Sequence, residues 1–158
     1  MGNKVLFDLI NYGWAQKLEM MNSSPRISQK VRGIDRGRIS RGSLSRFRKY
    51  LDLENPKRIS FISGKMIPER DLSIDHVVPW SYLYSDDIWN LVYVDKSENS
   101  VKNNTLPSDD DIARLELRNV ELLELCDGKG LNDTHTEQLR LAIETHLVKR
   151  NWVGFKGD

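Results

Sequence analysis

The sequence predicts an α+β chain in which helices at both ends enclose a compact β-β-α unit. Three observations carry that prediction. Apolar residues recur at helical spacing over residues 4–21 and again beyond residue 109. Between them, residues 72–78 and 90–94 read as two short strands, and glycine and proline punctuation at Gly64, Pro68, Pro79 and Pro107 breaks up the middle of the chain. A length of 158 residues suffices for one buried core but not for two substantial ones. The expected organisation is a basic helical region over 1–57, a central unit over 58–107 and a helical region over 108–158, packed as one domain.

In order, Val5, Leu6, Leu9, Ile10, Trp14, Leu18 and Met21 predict an amphipathic helix over 4–21, and Ser24-Pro25 reads as the cap and first turn of a second. Gly33 to Gly42 holds three glycines and three arginines and is predicted to be a phosphate-contacting loop. Ser43 is placed to cap a helix through Leu44, Phe47, Tyr50 and Leu51, which Asn55-Pro56 ends. Residues 58–68 predict a hairpin turning at Gly64-Lys65, held by Phe61, Ile62, Met66 and Tyr93. A strand over 72–78, a strand over 90–94 and a helix from about Ser97 to before Pro107 complete the central unit. Asp109 to Leu125 predicts a helix whose three leading aspartates suit its positive end. Asp127-Gly128-Lys129-Gly130 is a predicted turn, and Thr134 to Trp152 a final helix, with Leu139, Leu141, Ile143, Leu147 and Val148 mostly inward.

A formal net charge of +1 conceals an uneven distribution. The stretch from Lys17 to Arg58 is dominated by lysine and arginine, among them Arg32, Arg36, Arg38, Arg41 and Arg46. Such a face suits a polyanion such as nucleic acid, and Lys96 is a further candidate contact. No apolar run is long enough to span a bilayer and no signal peptide is legible, so a cytoplasmic location is expected. A single cysteine, Cys126, excludes an internal disulfide and a multi-thiolate zinc site.

The chemistry is concentrated in Ser73-Ile74-Asp75-His76-Val77-Val78-Pro79-Trp80 and the segments that follow it. Phosphodiester hydrolysis needs a base for water and a cation on the phosphate. Imidazole, with an unperturbed pKa of about 6.5, suits His76 to the first task. Asp75 offers a hard carboxylate and Asn99 a neutral carbonyl oxygen, a donor set for Mg2+ or Mn2+. Adjacent strand residues face opposite ways, so Asp75 and His76 are expected to hold different jobs. Asn90 is placed to tie down the loop with its side chain or to hold the far ring nitrogen of His76 with its backbone carbonyl. Lys102, three residues after Asn99, shares its helix face and is expected to reach a phosphate oxygen.

Ile74-Asp75-His76-Val77-Val78-Pro79-Trp80-Ser81, Asn90-Leu91-Val92, and Asn99 with Lys102 and Leu106-Pro107 resemble the HNH endonucleases with their ββα-metal fold. Over the Asp-His-x-Val-Pro run, the Asp86 region and the final Asn-x-x-Lys, the pattern is similar to the HNH domain of the RNA-guided CRISPR effector. The resemblance covers residues 58–107. It implies His76 as general base, Asp75 and Asn99 as metal ligands, Asn90 as the structural asparagine, and products with 5′-phosphate ends. Many members of the family carry paired cysteines for structural zinc. Here Ser60-Phe61-Ile62-Ser63-Gly64-Lys65 and Asp95-Lys96-Ser97-Glu98-Asn99 stand in their place, so no structural zinc is expected. The expected activity is cleavage of double-stranded DNA, by a homodimer or within a larger defence or phage assembly. The alternative is a nucleic-acid-binding module that keeps the fold without useful catalysis.

Overall fold

A computed structural model of the chain describes residues 10, 11, 13, 14, 43–83, 85–102 and 106–156, with side chains through Val153. The chain forms two units, one of residues 1–41 and 80–85 and the other of residues 42–79 and 86–158. The second unit carries the elements that matter below. The expected helices over 4–21 and after Ser24, and the loop from Gly33 to Gly42, lie in whole or large part outside the described residues.

Ser43 accepts a hydrogen bond from the Ser45 amide at 3.3 Å and starts a 3-10 turn, Leu44–Phe47, that runs into α1, Arg48–Glu54. Phe47, Tyr50 and Leu51 from these two pieces are fully buried. The Asn55 amide closes the helix on the Leu51 carbonyl at 2.9 Å, and its side chain then binds both the N–H and the C=O of Ile59. The expected hairpin over 58–68 is present only as a single bridge, Ile59 to Met66, with Gly64 taking the turn at φ 69°. Met66 and Ile62 are exposed, so they do not hold this hairpin. Polar groups close it instead. The Phe61 amide donates to the Tyr93 carbonyl at 2.9 Å, and the buried Ser60 hydroxyl binds the Glu98 carboxylate while accepting from the Ile62 amide at 3.2 Å.

Strand β1, Leu72–His76, pairs antiparallel with β2, Leu91–Asp95, with Ile74 opposite Tyr93, Asp75 opposite Val92 and His76 opposite Leu91. Each strand is offset from its expected span. β1 stops at His76 because Val77 and Val78 turn their amides to Asn90 rather than to a strand partner. A helical turn α2, Trp80–Leu83, lies in the other unit. A 3-10 turn, Ile88–Asn90, leads into β2, and α3, Lys96–Lys102, packs on both strands.

The long helix α4, Asp109–Gly128, opens with a capping box between Ser108 and Asp111. Ile112, Leu115, Asn119, Leu122 and Cys126 form its buried stripe at helical spacing, whereas Leu117, Val120 and Leu125 face out. The helix runs three residues beyond Leu125, and Gly130 at φ 67° takes the turn behind it. Asp133 and Thr136 make a second capping box for α5, Thr134–Glu144.

The single final helix expected over 134–152 is broken. The Thr145 amide and hydroxyl both bond to the Leu141 carbonyl, at 3.0 and 2.7 Å, and His146 takes φ 50°. The chain then restarts as α6, Leu147–Lys156. The break lets Leu139 and Ala142 on α5 and Val148 and Trp152 on α6 all be buried, while Leu141 is half exposed. Among the described residues no helix is long and apolar enough to cross a membrane.

Candidate active site

Asp75 and His76 end β1, and strand geometry points their side chains to opposite faces. Each meets a partner from later in the chain. Lys102, on the last turn of α3, places its ammonium 2.9 Å from Asp75 Oδ2 and 2.8 Å from the His76 carbonyl. On the other side His76 Nε2 lies 3.0 Å from Asp86 Oδ1, with the imidazole only 5% exposed. Asp86 Oδ2 in turn stands 3.6 Å from the Arg46 guanidinium, which is half exposed at the start of the helical region. Asp86 thus links the Arg46 guanidinium to the histidine ring.

Asn90 is wholly buried and holds the backbone that follows His76. Its Oδ1 accepts from the Val78 amide and its Nδ2 donates to the Val78 carbonyl, both at 2.8 Å, while its own carbonyl accepts from the Val77 amide at 2.9 Å. Of the two placements open from sequence, the side chain ties the loop. The far ring nitrogen is held by Asp86, not by the Asn90 carbonyl. Asp86 is the residue that sequence reasoning passed over as a partner for the ring. Its signals are an acid pair, Asp86-Asp87, in the loop between the strands and its place in the motif that resembles the HNH endonucleases.

Asn99 lies one helical turn before Lys102 on α3, which puts it on the face that meets Asp75. It is half buried, and its amide makes no hydrogen bond among the described residues. Asp75 uses one carboxylate oxygen on Lys102 and keeps the other. These oxygens are of the kind and number that a small hard cation takes from protein, with water completing its shell. No group of three or more His, Cys, Asp or Glu side chains suited to a metal occurs among the described residues. Glu98, the other oxygen donor on α3, is turned away to the hairpin. Burial works to raise its pKa, but hydrogen bonds from Ser60, Ser63 and the Asp95 amide prevail and hold it below the usual range.

The basic candidates divide. Arg46 reaches the site through Asp86, whereas Lys96 donates to the Arg70 carbonyl at 2.5 Å. Arg32, Arg36, Arg38 and Arg41 lie outside the described residues.

Residues 60–108 match the family model described as HNH endonuclease. The matched segment contains Asp75, His76, Asp86, Asn90, Asn99 and Lys102, and it ends at the capping serine of α4. No curated protein and no solved structure gives a match to the chain.

Proposed function

We propose that the β1–β2–α3 unit hydrolyses phosphodiester bonds in double-stranded DNA, using one divalent cation, Mg2+ or Mn2+, on Asp75 and Asn99. HNH endonucleases are nucleases, act on nucleic acid and typically use a divalent metal. The observation that carries the finer reading is the opposed pair at the end of β1, with Asp75 on the Lys102 side and His76 backed by Asp86. His76, oriented by Asp86, takes the proton of the attacking water, and the Asp86 carboxylate stabilises the imidazolium that forms. Asp75 and Asn99 would hold the cation, which would supply positive charge against the phosphoryl and departing oxygens. Lys102, freed from Asp75, is within reach of a phosphate oxygen, and Arg46 offers a second cation beside the ring. The resemblance of the Asp75-His76, Asn90 and Asn99 to Lys102 motifs to the HNH endonucleases supports the same assignment and cleavage to 5′-phosphate ends.

Nicking of supercoiled plasmid tests this. The wild type cuts with Mg2+ and stops with EDTA, and His76→Ala slows cutting by about a hundredfold or more. Equal cleavage by the two proteins overturns the assignment. A second reading is a nucleic-acid-binding module with little catalysis. It is favoured by the internal pairing of both functional groups, Asp75 with Lys102 and His76 with Asp86. It predicts salt-sensitive binding that survives His76→Ala, with no metal-dependent cutting.

A further inference from the structure

Helix α4 lies outside the matched segment, yet it grips the turn that carries Asn90. Arg118 places its two terminal nitrogens 3.3 and 3.4 Å from the Ile88 carbonyl, and one of them 2.7 Å from the Leu91 carbonyl. The next residue, Asn119, donates to the Trp89 carbonyl at 2.9 Å. The Asn90 carbonyl is taken by the Val77 amide, so every carbonyl from Ile88 to Leu91 is engaged. Arg118 is nearly buried, and its counter-charge is Glu54 of α1, 3.4 Å from Nε. Burying a guanidinium is costly, and apolar packing would serve stability as well. Its donors converge instead on one four-residue turn whose central asparagine fixes Val78, two residues after His76.

We propose that Arg118 and Asn119 are positioning residues for His76, acting through the Ile88–Leu91 carbonyls and the Asn90 clamp on Val78. The role in catalysis rests on the nuclease reading, whereas the mechanical link does not.

The test uses the full chain, Arg118→Lys and Asn119→Ala. Lysine keeps the charge facing Glu54 but cannot fork onto two carbonyls. In the metal-free proteins, NMR should show the Val78 amide and the His76 ring signals moved in both variants, with the His146 ring unmoved and one cooperative melt retained. With Mg2+ and plasmid, kcat should fall about tenfold while KM stays within about threefold, the pattern of lost alignment and not of lost binding. Unmoved signals at His76 and Val78, or unchanged kcat, overturn the proposal. If Arg118→Lys does not fold, Asn119→Ala decides. If neither folds, the pair only stabilises the chain and the proposal fails. A wild type that does not cut sinks the nuclease reading, and the metal-free signals still decide the mechanical link.

Discussion

In the helical part of the larger unit, the fully buried side chains are Phe47, Tyr50 and Leu51 around α1, Leu115, Leu122 and Cys126 on α4, and Leu139 on α5. In the β1–β2–α3 unit, β1 is partly exposed along four of its five residues and α3 buries none, while β2 is buried along its first four. The first region is held by apolar packing, which has no preferred direction. The second shares that packing through Leu91, Tyr93 and Val94 of β2 and adds directed polar bonds: Asn90 to Val78, Lys102 to Asp75, Ser60 to Glu98 and the Phe61 amide to the Tyr93 carbonyl. Packing supplies most of the free energy of a small core, and directed bonds set positions to a fraction of an ångström. The contrast assigns stability to the helices and alignment to the strands. The Tyr93 hydroxyl on Asp52 at 2.8 Å and Arg118 on the Ile88–Leu91 turn join the two.

The sharpest way to break this division is to damage the helical side alone. Leu115→Ala should cost about 2–5 kcal/mol in urea unfolding and leave the cleavage rate per folded molecule unchanged. A specific activity that falls with stability would erase the distinction.

The joint between the regions has its own signature in pH. Burial pushes the Glu54 carboxyl up to about 7, against the Arg118 charge and with Glu121 adding to the rise. A carboxyl raised above its unfolded value binds more protons when folded, so this contribution to stability is present at low pH. It is lost as pH climbs from the unfolded carboxylate range through about 7. Glu54→Gln should remove that slope, a change of roughly 2–3 kcal/mol across the interval by linkage. Parallel stability curves for the two proteins would contradict it.

A smaller effect separates capping from packing. Asp133 caps α5 and also receives the Tyr50 hydroxyl and the Lys49 ammonium. Burial opposes its ionisation, but those bonds and the Thr136 amide win and hold its pKa well below the usual range. Its contribution is therefore full above the unfolded pKa and disappears as pH falls through the folded one. Asp133→Ala should cost about 1 kcal/mol at neutral pH, with the gap to wild type closing on acidification. A gap independent of pH would show that packing, not the ionised cap, is at stake.

Helices α1 and α4 and the start of α5 were legible because apolar spacing, the Ser43 cap and the leading aspartates of α4 are local signals. The pair Asp75-His76, with Asn90, Asn99 and Lys102, was legible for the same reason, since all lie within a short span of chain. The break at Thr145-His146 was not, because the apolar spacing continues through it and only tertiary packing sets the backbone there. Neither the Asp86 bond to His76 nor the Arg118 grip on the Asn90 turn leaves a periodic trace. Each joins residues ten or more positions apart through groups that elsewhere would be ordinary surface charges. The expected apolar hold on the hairpin failed at two of its four residues because hydrophobicity was read without direction: Met66 and Ile62 point outward and Ser60 points in, while Tyr93 is buried as expected.

That inward serine changes what the hairpin responds to. A thiolate clasp around zinc opens to chelators, oxidants and competing metals. The Ser60–Glu98 clasp has no sulfur to oxidise and no metal to strip, so its natural antagonist is the proton that would neutralise Glu98. The hairpin beside Asp75 and His76 is therefore a fastening tied to acidity and indifferent to redox state. A chelator that stops the proposed nicking should leave this fastening closed.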